Sequence, residues 1–218
     1  KMNLTEDYKG FTKKICFLYQ NIDTLDLWDK QKVKNFIEKI LINDSVLEVD
    51  YSNKNNGRLF GSGGIQNIET AVRSFIFEGT NYKDVDMVSA VSNIMTVICD
   101  EHDIDCDALE DYNQNREQII DQYYNGNKQD CKDFINKAFF DTVRDNFKPN
   151  NKFEENMIPQ IKLIQDELFE IKEFDDIKQN VIEKQISEGK TNFKGATLCA
   201  IYHMRENIIL NKAIDYYR

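Results

Sequence analysis

Residues 46–86, VLEVDYSNKNNGRLFGSGGIQNIETAVRSFIFEGTNYKDVD, decide the predicted fold class. Residues 46–51 alternate like a strand, residues 53–57 favour a turn, and residues 58–60 are typical of the returning strand. A further short strand is predicted at 82–86. The predicted fold is therefore α+β and predominantly helical, with a small antiparallel sheet (about 46–60 and 82–86) packed with helices.

Both flanks of this stretch carry apolar residues at helical spacing. We predict helices at 5–20, 29–42, 65–77, 87–100, 112–123, 129–147, 153–172, 174–188 and 195–217. Pro149, within the Asn-rich residues 146–151, marks the best internal boundary. We expect a helix-rich α+β part (1–148) and a helical C-terminal part (149–218) that belong to the same compact unit.

The charge balance limits the classes of partner. The chain has 218 residues and a net charge of −10, from 38 acidic and 28 basic side chains. This balance disfavours tight, nonspecific wrapping of nucleic acid and leaves a local basic groove open. Because five cysteines are odd in number and no signal peptide or membrane-length apolar run is present, we expect an intracellular, cytoplasmic protein with free thiols. The chain begins Lys-Met, so we expect a piece of a longer protein.

Several motifs together carry a resemblance to a known family. They are GRLFG (57–61), IQNI (65–68) with VR (72–73), YKDVDM (82–87), and further on GATL (195–198) with RENIIL (205–210). The pattern resembles the transposon-virus polymerase family, distant relatives of the family A DNA polymerases that are often linked to poxvirus-type primase-helicases. It covers roughly residues 46–218 and is strongest over 51–117. It implies a polymerase-like domain of a viral or mobile-element DNA-replication protein, with nucleic acid and a helicase as partners at a viral replication site.

The same resemblance places the metal site at Asp84 and Asp86. Polymerases hold two divalent ions with carboxylates, and side chains two apart on a strand share a face, so both residues could reach Mg²⁺ or Mn²⁺. The alternative is that Asp84 is solvated at a strand edge and that Asp86 caps the next helix. The spacing leaves both interpretations open.

The chain departs from the family pattern in two places. Where the family has Asn-Ala-His-Pro, residues 89–92 are Ser-Ala-Val-Ser. The strand that carries the second metal carboxylate should follow the last helix, beyond Arg218. We therefore expect a domain that is catalytically incomplete over these residues, with nucleotidyltransfer only in a longer chain. The alternative function is a non-catalytic interaction or scaffold protein of viral origin that binds protein partners through acidic helices.

Four basic residues are candidates for nucleic-acid or nucleotide binding. Arg58 and Arg73 could contact template phosphate or pair with the two aspartates. Lys132 and Lys137 lie where the family's fingers helix should fall, but neighbouring aspartates make an ordinary solvated helix face the favoured alternative.

Residues 99–106, CDEHDIDC, contain cysteine, histidine and carboxylate side chains, all of which can bind metals. Cys99, His102 and Cys106 are spaced three and four apart, yet a zinc site needs a fourth ligand, and the other histidine is His203. A buried core thiol followed by an acidic loop is the favoured interpretation.

Overall fold

The computed structural model describes residues 10–27, 29–42, 67–79, 87–141 and 148–216, and the backbone of four short strands. Within these residues it has nine α-helices: α1 Phe11–Asn21, α2 Lys30–Ile42, α3 Thr70–Phe77, α4 Ala90–Glu101, α5 Asp107–Tyr124, α6 Lys128–Phe140, α7 Lys152–Glu170, α8 Asp175–Ser187 and α9 Phe193–Tyr216. The strands are β1 Met2–Asn3, β2 Val46–Leu47, β3 Asp50–Asn53 and β4 Leu59–Ser62.

The predicted α+β class is wrong, because the described residues form an all-helical fold. Among the residues that the structure describes, strands form two separate antiparallel pairs, β1 with β2 and β3 with β4, of two and four residues per strand. Segments this short bury little apolar surface, so the helices pack against one another instead of on a sheet. The predicted strand at 82–86 lies outside the described residues.

The chain divides into two compact units. The first contains Lys1–Asn53 and Leu59–Asp86. Its core forms because α1, α2 and α3 each place apolar residues three or four positions apart, which puts them on one helix face. The buried side chains of these helices are Phe11, Ile15, Leu18, Val33, Phe36, Ile37, Ile40, Val72 and Ile76. Lys14 Nζ donates to the carbonyls of Phe75 (2.7 Å) and Glu78 (3.0 Å) and so satisfies acceptors at the end of α3.

The second unit contains Lys54–Arg58 and Met87–Arg218, and α9 packs against α4, α6, α7 and α8 within it. The predicted boundary near residue 148 lies inside this unit. Its core joins residues from both sides of that position, including the fully buried Phe139 and Ile164. Among the described helices, none combines the length and apolar character needed to cross a bilayer.

The end of α6 is fixed by side chains from other elements. Gln165 Nε2 donates to the carbonyls of Ala138 (3.0 Å) and Phe139 (2.9 Å), and Asn192 Nδ2 donates to that of Phe140 (2.8 Å). These bonds satisfy carbonyls that the helix end leaves without intrahelical partners. Gly195 passes so close to the Phe140 carbonyl that a Cβ at this position would overlap it. The predicted helix 129–147 therefore ends at Phe140.

Candidate functional site: an acidic pocket with aromatic walls

A pocket of about 570 Å³ lies where the end of α5 meets α6 and the start of α7. Its charged lining consists of four carboxylates and one ammonium group: Asp130, Asp133, Asp141, Glu154 and Lys137. Three of these five groups lie on α6, and Asp141 is the residue that follows it. The pocket lies entirely within the second unit.

The acidic wall follows from the spacing of charges along α6. Asp130, Asp133 and Lys137 are three and four residues apart, so they share one face of the helix, and Asp141 follows the helix end. The opposite face is apolar and buries Cys131, Ile135 and Phe139 in the core. Core packing on one side therefore turns the charged side towards the pocket.

Glu154 is the buried carboxylate of the site, at 1% exposure. It accepts hydrogen bonds from the Tyr124 phenol (3.1 Å), from the Asn150 backbone amide (2.8 Å) and from Asn150 Nδ2 (3.0 Å). Asn151 caps α7 by accepting from the Glu154 amide (3.0 Å). The carboxylate lies in the first turn of α7, where the helix dipole favours negative charge. The Glu154 carboxylate therefore occupies the place at which this helix start could otherwise bind an anion.

Tyr124 is held as a neutral hydrogen-bond donor. Burial, followed by the nearby Glu154 carboxylate, raises the pKa of the Tyr124 phenol above its usual range. Ionisation would place two negative charges side by side in a partly desolvated position. The phenol therefore stays protonated and keeps its bond to Glu154.

Three aromatic rings line the pocket, and all three pack on Phe153. The ring of Tyr123 is stacked on Phe153 at 6.1 Å between centroids. Those of Tyr124 and Phe134 meet Phe153 edge to face at 6.2 and 5.9 Å. These geometries are favourable for aromatic pairs, so the contacts with Phe153 hold the three rings in place along the pocket. Aromatic faces also attract cations, which adds to the attraction of the carboxylates.

The residues predicted for the polymerase-like site are only partly described. Asp84, Asp86 and Arg58 lie outside the described residues, so the predicted Mg²⁺ or Mn²⁺ site stays a prediction. Arg73 lies half-buried on α3, and its guanidinium donates to the Thr70 hydroxyl at 3.0 Å. Within the described part of the chain, Arg73 forms no ion pair.

The two lysines predicted to bind nucleotide have different surroundings. Both are exposed on α6, but only Lys137 belongs to the pocket lining. Sequence reasoning missed Glu154 and Tyr124. The spacing of Asn151 and Glu154, an N-cap with an acidic residue three positions later, resembles a capping box and was an available signal for the first of them.

No family model, curated protein or solved structure matches this chain. Membership of the transposon-virus polymerase family stays a prediction that rests on the quoted motifs. The chemistry of the described residues is the remaining basis for assigning a function.

Proposed function

We propose that this chain is a non-catalytic interaction domain and that its pocket receives a basic side chain, arginine or lysine, from a protein partner. The observation that carries this proposal is the charge of the lining. Four carboxylates and one ammonium group surround a pocket of about 570 Å³, so the lining is negatively charged. A lining of this sign, with aromatic walls, attracts a cation.

The aspartates of the pocket have spare capacity for such a cation. The Asp130 carboxylate accepts from Asn127 Nδ2 and the Asp133 carboxylate from Gln129 Nε2, each at 2.8 Å. Both donors are neutral side-chain amides. Within the described residues, none of Asp130, Asp133 and Asp141 forms an ion pair. Carboxylates on one helix face repel each other. A guanidinium or ammonium group between them would relieve that repulsion, which Lys137 offsets only in part.

A phosphate ligand suits this pocket poorly. Anions bind at helix starts because free amides and the helix dipole attract them. At α7, however, Glu154 already occupies that position and the remaining lining is negative. The volume lies within the range of roughly 300–1,000 Å³ that is usual for ligand pockets. A long basic side chain with part of its backbone fits such a space.

The test measures binding of labelled arginine–glycine and lysine–glycine peptides by fluorescence anisotropy. The double variant Asp133→Asn/Asp141→Asn removes two carboxylates and keeps the side-chain size. Its matched control, Glu167→Gln/Glu170→Gln, removes two exposed charges from α7 outside the pocket. We expect the first variant to weaken binding roughly tenfold, since two partly exposed charge pairs contribute about 1.4 kcal/mol together.

The control variant should bind the peptides almost as tightly as the unaltered chain, and binding should weaken as salt is added. Equal losses in the two double variants would show that only overall charge matters. The proposal would be wrong if neither peptide bound at low salt.

A polymerase-like function in DNA replication is a second hypothesis, supported by the motif that contains Asp84 and Asp86. It is tested by the melting temperature with and without millimolar Mg²⁺ or Mn²⁺. A rise that Asp86→Asn abolishes would support it. Indifference to both ions, together with no binding of primer–template DNA at low salt, would contradict it.

A further inference from the structure

A second cluster of chemically active side chains lies at the start of α5, at the opposite end of this helix from the pocket. Asp100, Cys106 and Glu110 each offer one ligand atom, and these atoms lie within 4.8 Å of one another. Cys106 Sγ lies 3.9 Å from Glu110 Oε1. The fold produces this arrangement because Cys106 precedes the first turn of α5 and Glu110 follows one turn later, while Asp100 lies in the last turn of α4.

A second thiol, Cys99, precedes Asp100 in the chain, but its sulfur is not one of the three ligand atoms that lie within 4.8 Å of one another. Its side chain is fully buried, and that of Cys106 is 3% exposed. Both cysteines are free. Burial, followed by the carboxylates of Glu110 and Asp100, raises the pKa of the Cys106 thiol to about 11. One thiol and two carboxylates converge on the boundary between core and solvent.

The separation of the Cys106 and Glu110 ligand atoms is close to that of two ligands in a tetrahedral metal site. Zinc binds thiolate sulfur at about 2.3 Å and carboxylate oxygen at about 2.0–2.2 Å, which separates a sulfur and an oxygen ligand by roughly 3.5 Å. The observed separation of 3.9 Å between Cys106 Sγ and Glu110 Oε1 needs only a small inward movement of a half-buried side chain.

We propose that Asp100, Cys106 and Glu110 bind one divalent ion of the zinc class. Thiolate ligands select Zn²⁺ and the similar Co²⁺ over Mg²⁺, which prefers six oxygen ligands. Three protein ligands would leave the fourth position of a tetrahedral shell to a water molecule. The ion would tie the end of α4 to the start of α5 and stabilise the second unit.

His102 is not part of the site, although its position between the two cysteines favours it in the sequence. Its Nε2 lies 3.8 Å from a Glu173 carboxylate oxygen, and its ring meets Phe174 edge to face at 5.3 Å. The histidine therefore faces the segment between α7 and α8. The ligands beside Cys106 are the carboxylates of Asp100 and Glu110, and the His102 ring is not among them.

The experiment is an anaerobic titration of the reduced chain with Co²⁺, followed by displacement with Zn²⁺. Thiolate ligation gives a sulfur-to-cobalt charge-transfer band, and we expect it to saturate at one equivalent. Glu110→Gln keeps an acceptor for the Cys106 thiol but removes the anionic ligand, so affinity should fall roughly tenfold or more. Asp100→Asn should act in the same direction. Zn²⁺ should raise the melting temperature of the unaltered chain.

Two matched variants serve as controls. His102→Gln should leave Co²⁺ affinity unchanged, and so should Cys16→Ser, which alters an exposed thiol of the first unit. Absence of the charge-transfer band, an equal loss in His102→Gln and Glu110→Gln, or a band that depends on Cys16 would each overturn the proposal. Circular dichroism of Glu110→Gln verifies that its loss of affinity is not a loss of fold.

Discussion

The phenol of Tyr124 donates a hydrogen bond of 3.1 Å to the carboxylate of Glu154, across thirty residues of sequence and at 1% exposure of the acceptor. The bond ties the end of α5 to the start of α7. It also orients a negative charge in a pocket whose other carboxylates come from α6. Fold stability and pocket chemistry therefore depend on the same pair of residues.

Replacing Tyr124 by Phe removes this bond and keeps the ring against Phe153. We expect the free energy of unfolding to fall by about 1.5 kcal/mol, because a hydrogen bond to a charged acceptor is lost in a desolvated place. Urea denaturation measures the change. Tyr123→Phe is the matched control, since Tyr123 also packs on Phe153 and donates to no described acceptor. A loss of equal size in both variants would argue against a special role for the bond to Glu154.

Ionisation of the Tyr124 phenol should make the free energy of unfolding depend on pH. Burial and then Glu154 raise the pKa of Tyr124 in the folded state, whereas a tyrosine in the unfolded chain ionises near pH 10. Above about that pH the unfolded state binds fewer protons than the folded state, so the free energy of unfolding falls as pH rises. Tyr124→Phe removes this titration. Its urea midpoint should fall less between about pH 9 and pH 11 than that of Tyr123→Phe, and parallel curves would contradict the prediction.

Gln165→Ala tests how the end of α6 is held. The variant removes both bonds to the carbonyls of Ala138 and Phe139 from a side chain that is 8% exposed. We expect a loss of about 2–3 kcal/mol, because two buried acceptors lose the side chain that donates to them. Gln179→Ala on the exposed face of α8 is the control and should change stability by less than about 0.5 kcal/mol. Thermal and urea unfolding should agree on this order.

Gly195→Ala tests the close approach of α9 to α6. The added methyl group would meet the Phe140 carbonyl, a backbone atom that cannot rotate away. We expect a loss of about 1–3 kcal/mol from overpacking. Gly189→Ala is the comparison, since its positive φ of 67° carries a backbone cost while nothing lies within 4 Å of the new Cβ. It should cost about 1 kcal/mol. A larger loss at Gly189 than at Gly195 would show that the collision is relieved.

The helices could be predicted because apolar spacing records which face is buried. In α2, Val33, Ile37 and Ile40 are all buried, as their positions indicate. The fold class could not be predicted in this way. Alternation over residues 46–51 shows that an extended conformation is compatible with the sequence, but whether strands build a sheet depends on partners elsewhere in the chain. Likewise, the predicted helix 129–147 ends at Phe140, where Asn192 binds the carbonyl from fifty-two residues away.

The pocket was accessible to sequence analysis only in part. Lys137 was a candidate, and the aspartates on its helix face were recognised as its neighbours. The contribution of Glu154 depends on the start of α7 lying beside α5 and α6, which no local pattern records. In the second cluster, Glu110 follows Cys106 by one helical turn, so that pair was visible in the spacing. Its convergence with Asp100 depends on the turn between α4 and α5.

The position of α9 as a common partner of α4, α6, α7 and α8 has a consequence for synthesis. α4 begins at Ala90 and α9 at Phe193, so α9 leaves the ribosome roughly a hundred residues later, on the order of 5–20 seconds. Leu198 and Ile201, both fully buried in the finished unit, are missing from its core during that interval. A nascent chain arrested before residue 193 should therefore expose apolar helix faces to which chaperones can bind. These faces are buried in the completed chain.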